Sequence, residues 1–582
     1  MKNQLKNISL ILSIFLTFLT IFNLFRLANY GIDFSDEGFY LNWASYRYEY
    51  PTSFSYFGFL TGFIFDLVKE DIVNFRIFNI CAIFLFGFST VFINYKSSLN
   101  KNLNKIDFSS ILLITTISFF SISYGLMTPN YNSLNFYGFC LISISFNFLY
   151  TKKKNLIFLI IYSVGFVLIS LSKATSVIPL FLLTFIFLLL KKDIKLIFLL
   201  FISTIIASIT SIYIFSGQTF NDILQYILRT SNYYIALDSG HDSSLITRPF
   251  SWIIRTEKEQ IICFLLFIAF NIINISDLKF LKRNKNIYTW FFLTPIYFLL
   301  FLILKTKVIN AFFLSIPITV LIIYLKKHTN FWELIKNSNL KLSFFNLMLP
   351  FSYSFGTNTN YWNISQQASI FYICASLIIF NSLKTEIKSS QMIINIKRFI
   401  YMSSLFTIIL VNLYIRDFSI NPYRQSGELL SFKNKTEVGV SDSKLYLSDE
   451  FSSLINQAKG ELGKEGFSPS TPILDMTGRL PGFIYAIDGM AFAHPWIAGG
   501  YPGSNVFAKK ILADIPKESF KDVWFLVEKN GERSLDNKLL LDININIYDQ
   551  TRYKKVFEKN YYSLINNKNK NLKTLSIYKP IK

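Results

Sequence analysis

Two adjacent carboxylates, Asp36 and Glu37, sit in a short polar stretch that follows the first long apolar run of the chain and also contains Asp33, Ser35, Gly38 and Tyr40. Paired acids suit proton transfer to or from a hydroxyl. On a helix, successive side chains point about 100° apart, so both carboxylates cannot serve one atom. One can act on a substrate while the other is held by the protein. The plainer reading is that Ser35 caps a short helix whose dipole favours the two acids. An acid at a membrane boundary gains something more, because partial desolvation raises its pKa and makes it a better base.

Further polar residues interrupt the apolar runs. Thr128-Pro129-Asn130-Tyr131-Asn132-Ser133-Leu134 reads either as a helix-breaking turn capped by Asn130 or as part of a site. Lys173, in Ser172-Lys173-Ala174-Thr175, lies between two apolar segments. Its ammonium must reach water at an interface or meet an anion. Residues 216–258 supply Arg229, His241, Arg248 and Arg255, each readable as a surface residue or a ligand. The stretch from Phe355 to Asn363 carries Asn358 and Tyr361; amides bond hydroxyls and rings pack on sugar C–H faces, although a plain turn has a similar composition.

Elements must hold these residues, and composition says which kind. Of 582 residues, 52% are hydrophobic, 16% are charged and 63 are Phe, which argues against an ordinary soluble enzyme. The net charge of +22 raises nucleic-acid binding, but the basic residues form short clusters between apolar runs, as in membrane loops. No nucleic-acid partner is expected. The four cysteines lie inside apolar runs without metal-ligand spacing and read as packing residues. Richness in Phe, Ile, Asn and Lys points to an AT-rich bacterial genome.

Spanning segments of roughly 20 apolar residues fall near 8–26, 76–95, 108–126, 133–150, 155–172, 175–190, 195–215, 260–276, 287–304, 308–325, 341–354, 364–382 and 398–416, thirteen in all. The expected fold is a polytopic α-helical membrane protein of about 13 transmembrane helices with a C-terminal extracytoplasmic α/β domain. The first segment is read as an uncleaved anchor with a cytoplasmic N-terminus. Lys and Arg then concentrate in alternate loops, such as Lys152 to Lys154 and Lys279 to Lys285, which become cytoplasmic. Nearly all the candidate residues fall on the outer side of a transmembrane domain 1–416 with outer loops 27–75 and 216–258, and residues 417–582 form the outer domain. Another apolar stretch, Phe54 to Val68, is too interrupted to span and is expected to lie along the surface. In the tail, Pro472 to Asp475, Val523 to Val527 and Leu539 to Ile547 read as strands, and Asp449 to Glu461 and Ser504 to Asp514 as helices, the latter capped by Ser504. The tail's Gly- and Pro-rich stretches, around Asp475 to Gly482, His494 to Trp496 and Gly499 to Ser504, read as ordered loops that cover the site's mouth or receive an acceptor.

The first span, the outer loop with Asp36-Glu37-Gly38-Phe39-Tyr40 and a span opening at Arg76 together resemble the C-type (GT-C) integral-membrane glycosyltransferases. Within them the resemblance is to the branch of protein O-mannosyltransferases and lipid A aminoarabinose transferases. It covers the arrangement of residues 1 to about 420, with identity confined to short motifs. It implies a polyprenyl-phosphate sugar donor and an Asp-Glu pair at the active site. Relatives often carry Asp after the proline of the second motif; here Asn130 leaves the first loop to supply the base. A similarly placed Lys is common among them, which implies a donor-phosphate role for Lys173.

The resulting expectation is a glycosyltransferase of the bacterial cytoplasmic membrane, working by an inverting single displacement on the outer face. Asp36 or Glu37 is the catalytic base. Lys173, Arg229, His241 and Arg248 bind the donor phosphate; Tyr40, Asn130, Tyr131, Asn132, Asn358 and Tyr361 bind substrate. The partners are the polyprenyl-phosphate sugar, a lipid, glycan or protein acceptor, and membrane lipid; no cofactor or metal is expected. The alternatives are a lipid-linked saccharide flippase or transporter, and a surface-polysaccharide polymerase or ligase.

Overall fold

The long apolar runs become helices, because a backbone without water or a sheet partner satisfies its own N–H and C=O groups that way. The computed structural model describes residues 2–50, 52–97, 105–151, 154–238, 258–275, 309–327, 337–356, 361–386, 390–441, 443–562 and 572–581. The helices of the first part are α1 (Lys2–Leu27), α2 (Asp36–Ser45), α3 (Phe57–Leu67), α4 (Ile72–Ser97), α5 (Lys105–Thr115), α6 (Tyr131–Thr151), α7 (Asn155–Ser172), α8 (Val177–Leu189), α9 (Ile194–Ser216), α10 (Phe220–Leu237), α11 (Lys258–Ile275), α12 (Ile309–Lys327), α13 (Ser338–Ser354), the single turn α14 (Tyr361–Ile364), α15 (Ile370–Glu386) and α16 (Ser390–Ile420). Among the described residues, six helices are long and apolar enough to cross a membrane. Twelve of the thirteen expected segments coincide with a helix; the one at 287–304 lies outside the described residues.

Two of those segments are broken where a smooth span was expected. The run at 108–126 is α-helical only to Thr115, tightens into a 3₁₀ turn over Thr116–Ser121 and ends at Tyr124 in the left-handed region. The run at 364–382 starts with a 3₁₀ turn, Ser365–Ala368, before α15. Elsewhere small residues let helices approach closely: a Cβ on Gly138 of α6 would sit 2.6 Å from the Gly165 carbonyl of α7. Uncharged hydrogen bonds join buried helices as well, with Asn94 Nδ2 donating to Ser143 Oγ at 3.0 Å and Ser143 Oγ to Asn346 Oδ1 at 2.6 Å.

The C-terminal region contains a hairpin, β1 (Asn434–Val438) with β2 (Ser443–Leu447), and a five-stranded mixed sheet in the order β4-β3-β5-β7-β6. Its strands are β3 (Pro472–Asp475), β4 (Met490–Ala491), β5 (Trp524–Lys529), β6 (Tyr553–Tyr562) and β7 (Leu572–Pro580). Strands β3, β4 and β5 are parallel, and β7 is antiparallel to both β5 and β6. Helices α17 (Asp449–Lys464), α18 (Pro481–Ala486), α19 (Ser504–Ala513) and α20 (Lys538–Asp542) accompany it. The stretch Leu539 to Ile547 is therefore not a strand. It makes the short helix α20, and Asn544 follows in the left-handed region. The cap of α19 is Gly503 rather than Ser504, whose Oγ instead accepts from Tyr501 N at 2.9 Å.

This region does not stand apart from the first loop. Tyr30 makes a single parallel bridge to Tyr446 of the hairpin, with Gly31 N donating to Tyr446 O and Tyr446 N to Asn29 O at 2.9 Å each. Ile32, Phe34, Leu41, Phe65 and Phe75 enter the same hydrophobic core as Leu445, Ile455, Phe483 and Ile577. Helix α2 lies directly on α18, so that a Cβ on Gly38 would meet Gly482 N at 2.1 Å and a Cβ on Gly482 would meet Phe34 Cα at 2.6 Å. Asn42 bridges the contact, donating to Pro481 O at 2.8 Å and accepting from Ala491 N at 3.3 Å.

Candidate active site

The loop from Ala28 to Ser35 delivers Asp33, Asp36 and Glu37 to one end of the helical bundle. The N-cap position of α2 is Ser35, but its side chain makes no capping bond. Its Oγ donates to the Asp33 carboxylate at 2.8 Å, and Asp33 Oδ2 accepts from Glu37 N at 3.2 Å, so Asp33 does the capping. Burial, helped by the nearby Asp36 charge, pushes the Asp33 carboxyl well above the usual carboxylate range.

Glu37 is closed off. Arg76 of α4 grips it with both edges of its guanidinium, Nε to Oε1 and Nη2 to Oε2 at 2.9 Å each. The Thr128 hydroxyl also donates to Oε1, and Asp33 N donates to Oε2 at 3.2 Å. Arg76 turns its remaining donors to the Ala28 and Gly31 carbonyls, both at 2.8 Å. Each partner is only 2% exposed. A buried pair this fully bonded holds the loop, α4 and the Thr128 turn in register.

Asp36 points elsewhere. Its carboxylate is half-buried and accepts from Arg424 Nη1 at 3.0 Å. Arg424 lies in a strap, Asn421 to Gly427, that leaves the end of α16; its guanidinium also donates to Ser35 Oγ and stacks 4.6 Å over the Tyr423 ring. Gln425 Oε1 accepts from Ile32 N at 3.1 Å and pins the strap to the first loop. The Asp36 charge reaches the phenols of Tyr40, Tyr124, Tyr131 and Tyr423. Burial first, then Tyr131 and that charge, push the Tyr40 phenol upward. Tyr40 meets Tyr131 edge to face at 6.0 Å, and Tyr124 stacks on Tyr423 at 4.8 Å. The arrangement is one carboxylate and one guanidinium at an open mouth walled by tyrosines. A narrow cleft is lined by Glu37, Arg76, Tyr124, Met127, Phe418 and Tyr423.

Lys173 sits at the same end of the bundle, between α7 and α8. Its Nζ donates to Tyr353 O at 2.9 Å and lies 5.7 Å from the Tyr353 ring. No carboxylate pairs with it among the described residues, and burial pushes its ammonium down to about 7. Contacts link it back to the mouth: Tyr353 OH donates to Asn132 O at 3.4 Å, and the neighbouring Tyr131 meets Tyr40.

The remaining candidates divide. Asn130 is the cap of α6, its Oδ1 accepting from Asn132 N at 2.8 Å and Ser133 N at 3.2 Å while its amide donates to Thr128 O at 2.9 Å. The Tyr361 hydroxyl shares a hydrogen bond with the hydroxyl of Tyr372 of α15. Arg229 is exposed on α10, a helix that packs on the C-terminal region rather than on α2. His241, Arg248 and Asn358 lie outside the described residues. In the tail, Asp475 accepts from Thr477 N, Thr477 Oγ1 and Leu480 N within its own turn, and burial pushes it up to about 6. His494 is buried against Trp496, and burial pushes its ring down to about 4. Among the described residues no three of His, Cys, Asp and Glu gather to hold a metal ion.

Sequence reasoning passed over Arg424, Tyr423 and Tyr124, and did not assign a partner to Arg76. A signal existed for Arg76, since an arginine at the head of an apolar segment needs an anion or water. For Arg424 only its place just beyond the last apolar run was visible. No known family model matches the chain, and no curated protein matches it.

Proposed function

We propose that this chain is a membrane-embedded glycosyltransferase that moves a sugar from a polyprenyl-phosphate donor to an acceptor hydroxyl on the outer face of a bacterial cytoplasmic membrane. One observation carries the reading: adjacent carboxylates with opposite surroundings, Glu37 spent in a buried pair with Arg76 and Asp36 at an open, tyrosine-walled mouth. In this reading Asp36 takes the acceptor proton as the acceptor oxygen attacks the anomeric carbon. The carbon–phosphate oxygen bond breaks, its electron pair stays with the polyprenyl phosphate, and the configuration inverts. Tyrosine rings suit C–H faces of a sugar, and their hydroxyls suit its hydroxyls. Lys173, a buried cation with no carboxylate partner among the described residues, is held as a phosphate-side charge. The six long apolar helices support a membrane setting, with the site at the end that faces outward by the distribution of Lys and Arg.

A transporter tends to place ionisable groups within its helices. The interhelical bonds around Asn94, Ser143 and Asn346 are uncharged and favour packing instead. The test is transfer of radiolabelled sugar from polyprenyl phosphate by purified protein. Loss in Asp36→Asn with a folded protein supports the reading, whereas full activity in Asp36→Asn, Glu37→Gln and Lys173→Ala alike removes it.

A further inference from the structure

Arg424 touches Asp36 through one nitrogen only. Nη1 bonds Asp36 Oδ2 and Ser35 Oγ, while Nε and Nη2 make no hydrogen bond among the described residues. Those two nitrogens form the parallel edge that matches two oxygens of a phosphate. The side chain is 17% exposed, so the guanidinium is only partly covered. Its direction is set from three sides: the guanidinium stacks on Tyr423, Gln425 ties the strap to Ile32, and Arg424 itself holds φ at +52°, a conformation a non-glycine residue keeps only where surrounding contacts require it.

The other cations are placed differently. Lys173 is buried and spends its ammonium on a backbone carbonyl, Arg76 is saturated, and Arg229 is exposed on α10. We infer that Arg424 is the residue that grips the phosphate of the lipid-linked donor, using the Nε–Nη2 edge while Nη1 remains on Asp36. This rests on the glycosyltransferase reading above and assigns its phosphate ligand to the strap joining the helical bundle to the C-terminal region. One guanidinium then spans the base and the leaving group.

The probe is polyprenyl phosphate itself, with polyprenol as its uncharged control, binding to the full chain in nanodiscs. Wild type should bind the phosphate at least tenfold more tightly than the alcohol. Arg424→Gln should lose that preference, Arg424→Lys should keep part of it, and Arg552→Gln, at an exposed arginine of the C-terminal region, should keep all of it. A second measurement needs no variant: polyprenyl phosphate should protect Arg424 of the wild-type protein from phenylglyoxal, read by mass spectrometry, and polyprenol should not. If wild type binds the phosphate but Arg424→Gln binds it equally, or Arg424 is modified at an unchanged rate, the assignment is overturned and the function stands. If wild type shows no preference for the phosphate, both fall. A role confined to tuning Asp36 would instead move the pH profile of transfer and leave the donor's KM unchanged.

Discussion

The floor of the site and its mouth are built from consecutive residues of one helix and from the same chemistry, a carboxylate facing an arginine. At the floor, Glu37 and Arg76 are each 2% exposed and every carboxylate oxygen has a donor. At the mouth, the Asp36 and Arg424 side chains are 25% and 17% exposed, joined by a single nitrogen. Removing one partner from a buried, fully bonded pair strands a charge and costs about 3–5 kcal/mol. A pair open to water contributes about 0–1 kcal/mol. The same two residue types thus do structural work where water is excluded and remain available for chemistry where it is not.

The comparison is broken most directly at the acid of the mouth. Asp36→Asn should lower transfer by about 10²–10⁴-fold, the usual worth of a positioned base, while thermal unfolding moves little; a large loss of stability would show that the mouth is structural too. At the floor the effect should invert. Glu37→Gln should destabilise by about 3–5 kcal/mol, measured by denaturant unfolding in mild detergent, and Glu37→Leu combined with Arg76→Met should recover much of it. A smaller effect tests how the two regions are held together. Gly482→Ala drives a methyl against the Phe34 backbone at 2.6 Å, so a loss of about 1–3 kcal/mol is expected. Faster hydrogen exchange should follow in α2 and α18 together; exchange confined to α18 would argue that the loop and the C-terminal region are independent.

The smallest effect concerns Lys173. Its folded pKa, about 7, lies below the ordinary lysine value, so the unfolded chain binds the extra proton. Wild-type stability should therefore rise as pH climbs from about 7 toward 10. Lys173→Met should stabilise the protein by on the order of 1 kcal/mol below pH 7, since Ser176 still donates to the Tyr353 carbonyl. That advantage should shrink toward pH 10. A flat difference between the two proteins across this range would mean that the ammonium is solvated.

Local pattern determined much of this molecule. Runs of apolar residues are enough to locate helices, because nothing but their own length and composition is needed. The tail segments at Asp449 and Pro472 announced themselves by the same short-range periodicity. The polar stretches at 33–40, 128–134 and 172–175 were visible as interruptions, and alternation between apolar runs brought them to one end. Only the tertiary structure decided which of Asp36 and Glu37 is buried in a saturated pair, since that depends on Arg76, 39 residues further along. It also brought Arg424 to Asp36 across 388 positions and Pro481 to Asn42 across 439. The tail segments misread from the sequence, Leu539 to Ile547 and the cap at Ser504, are places where neighbouring elements outweighed local preference. A carboxylate's role depends on which donors and how much water surround it, and those arrive from parts of the chain that no local spacing relates to it.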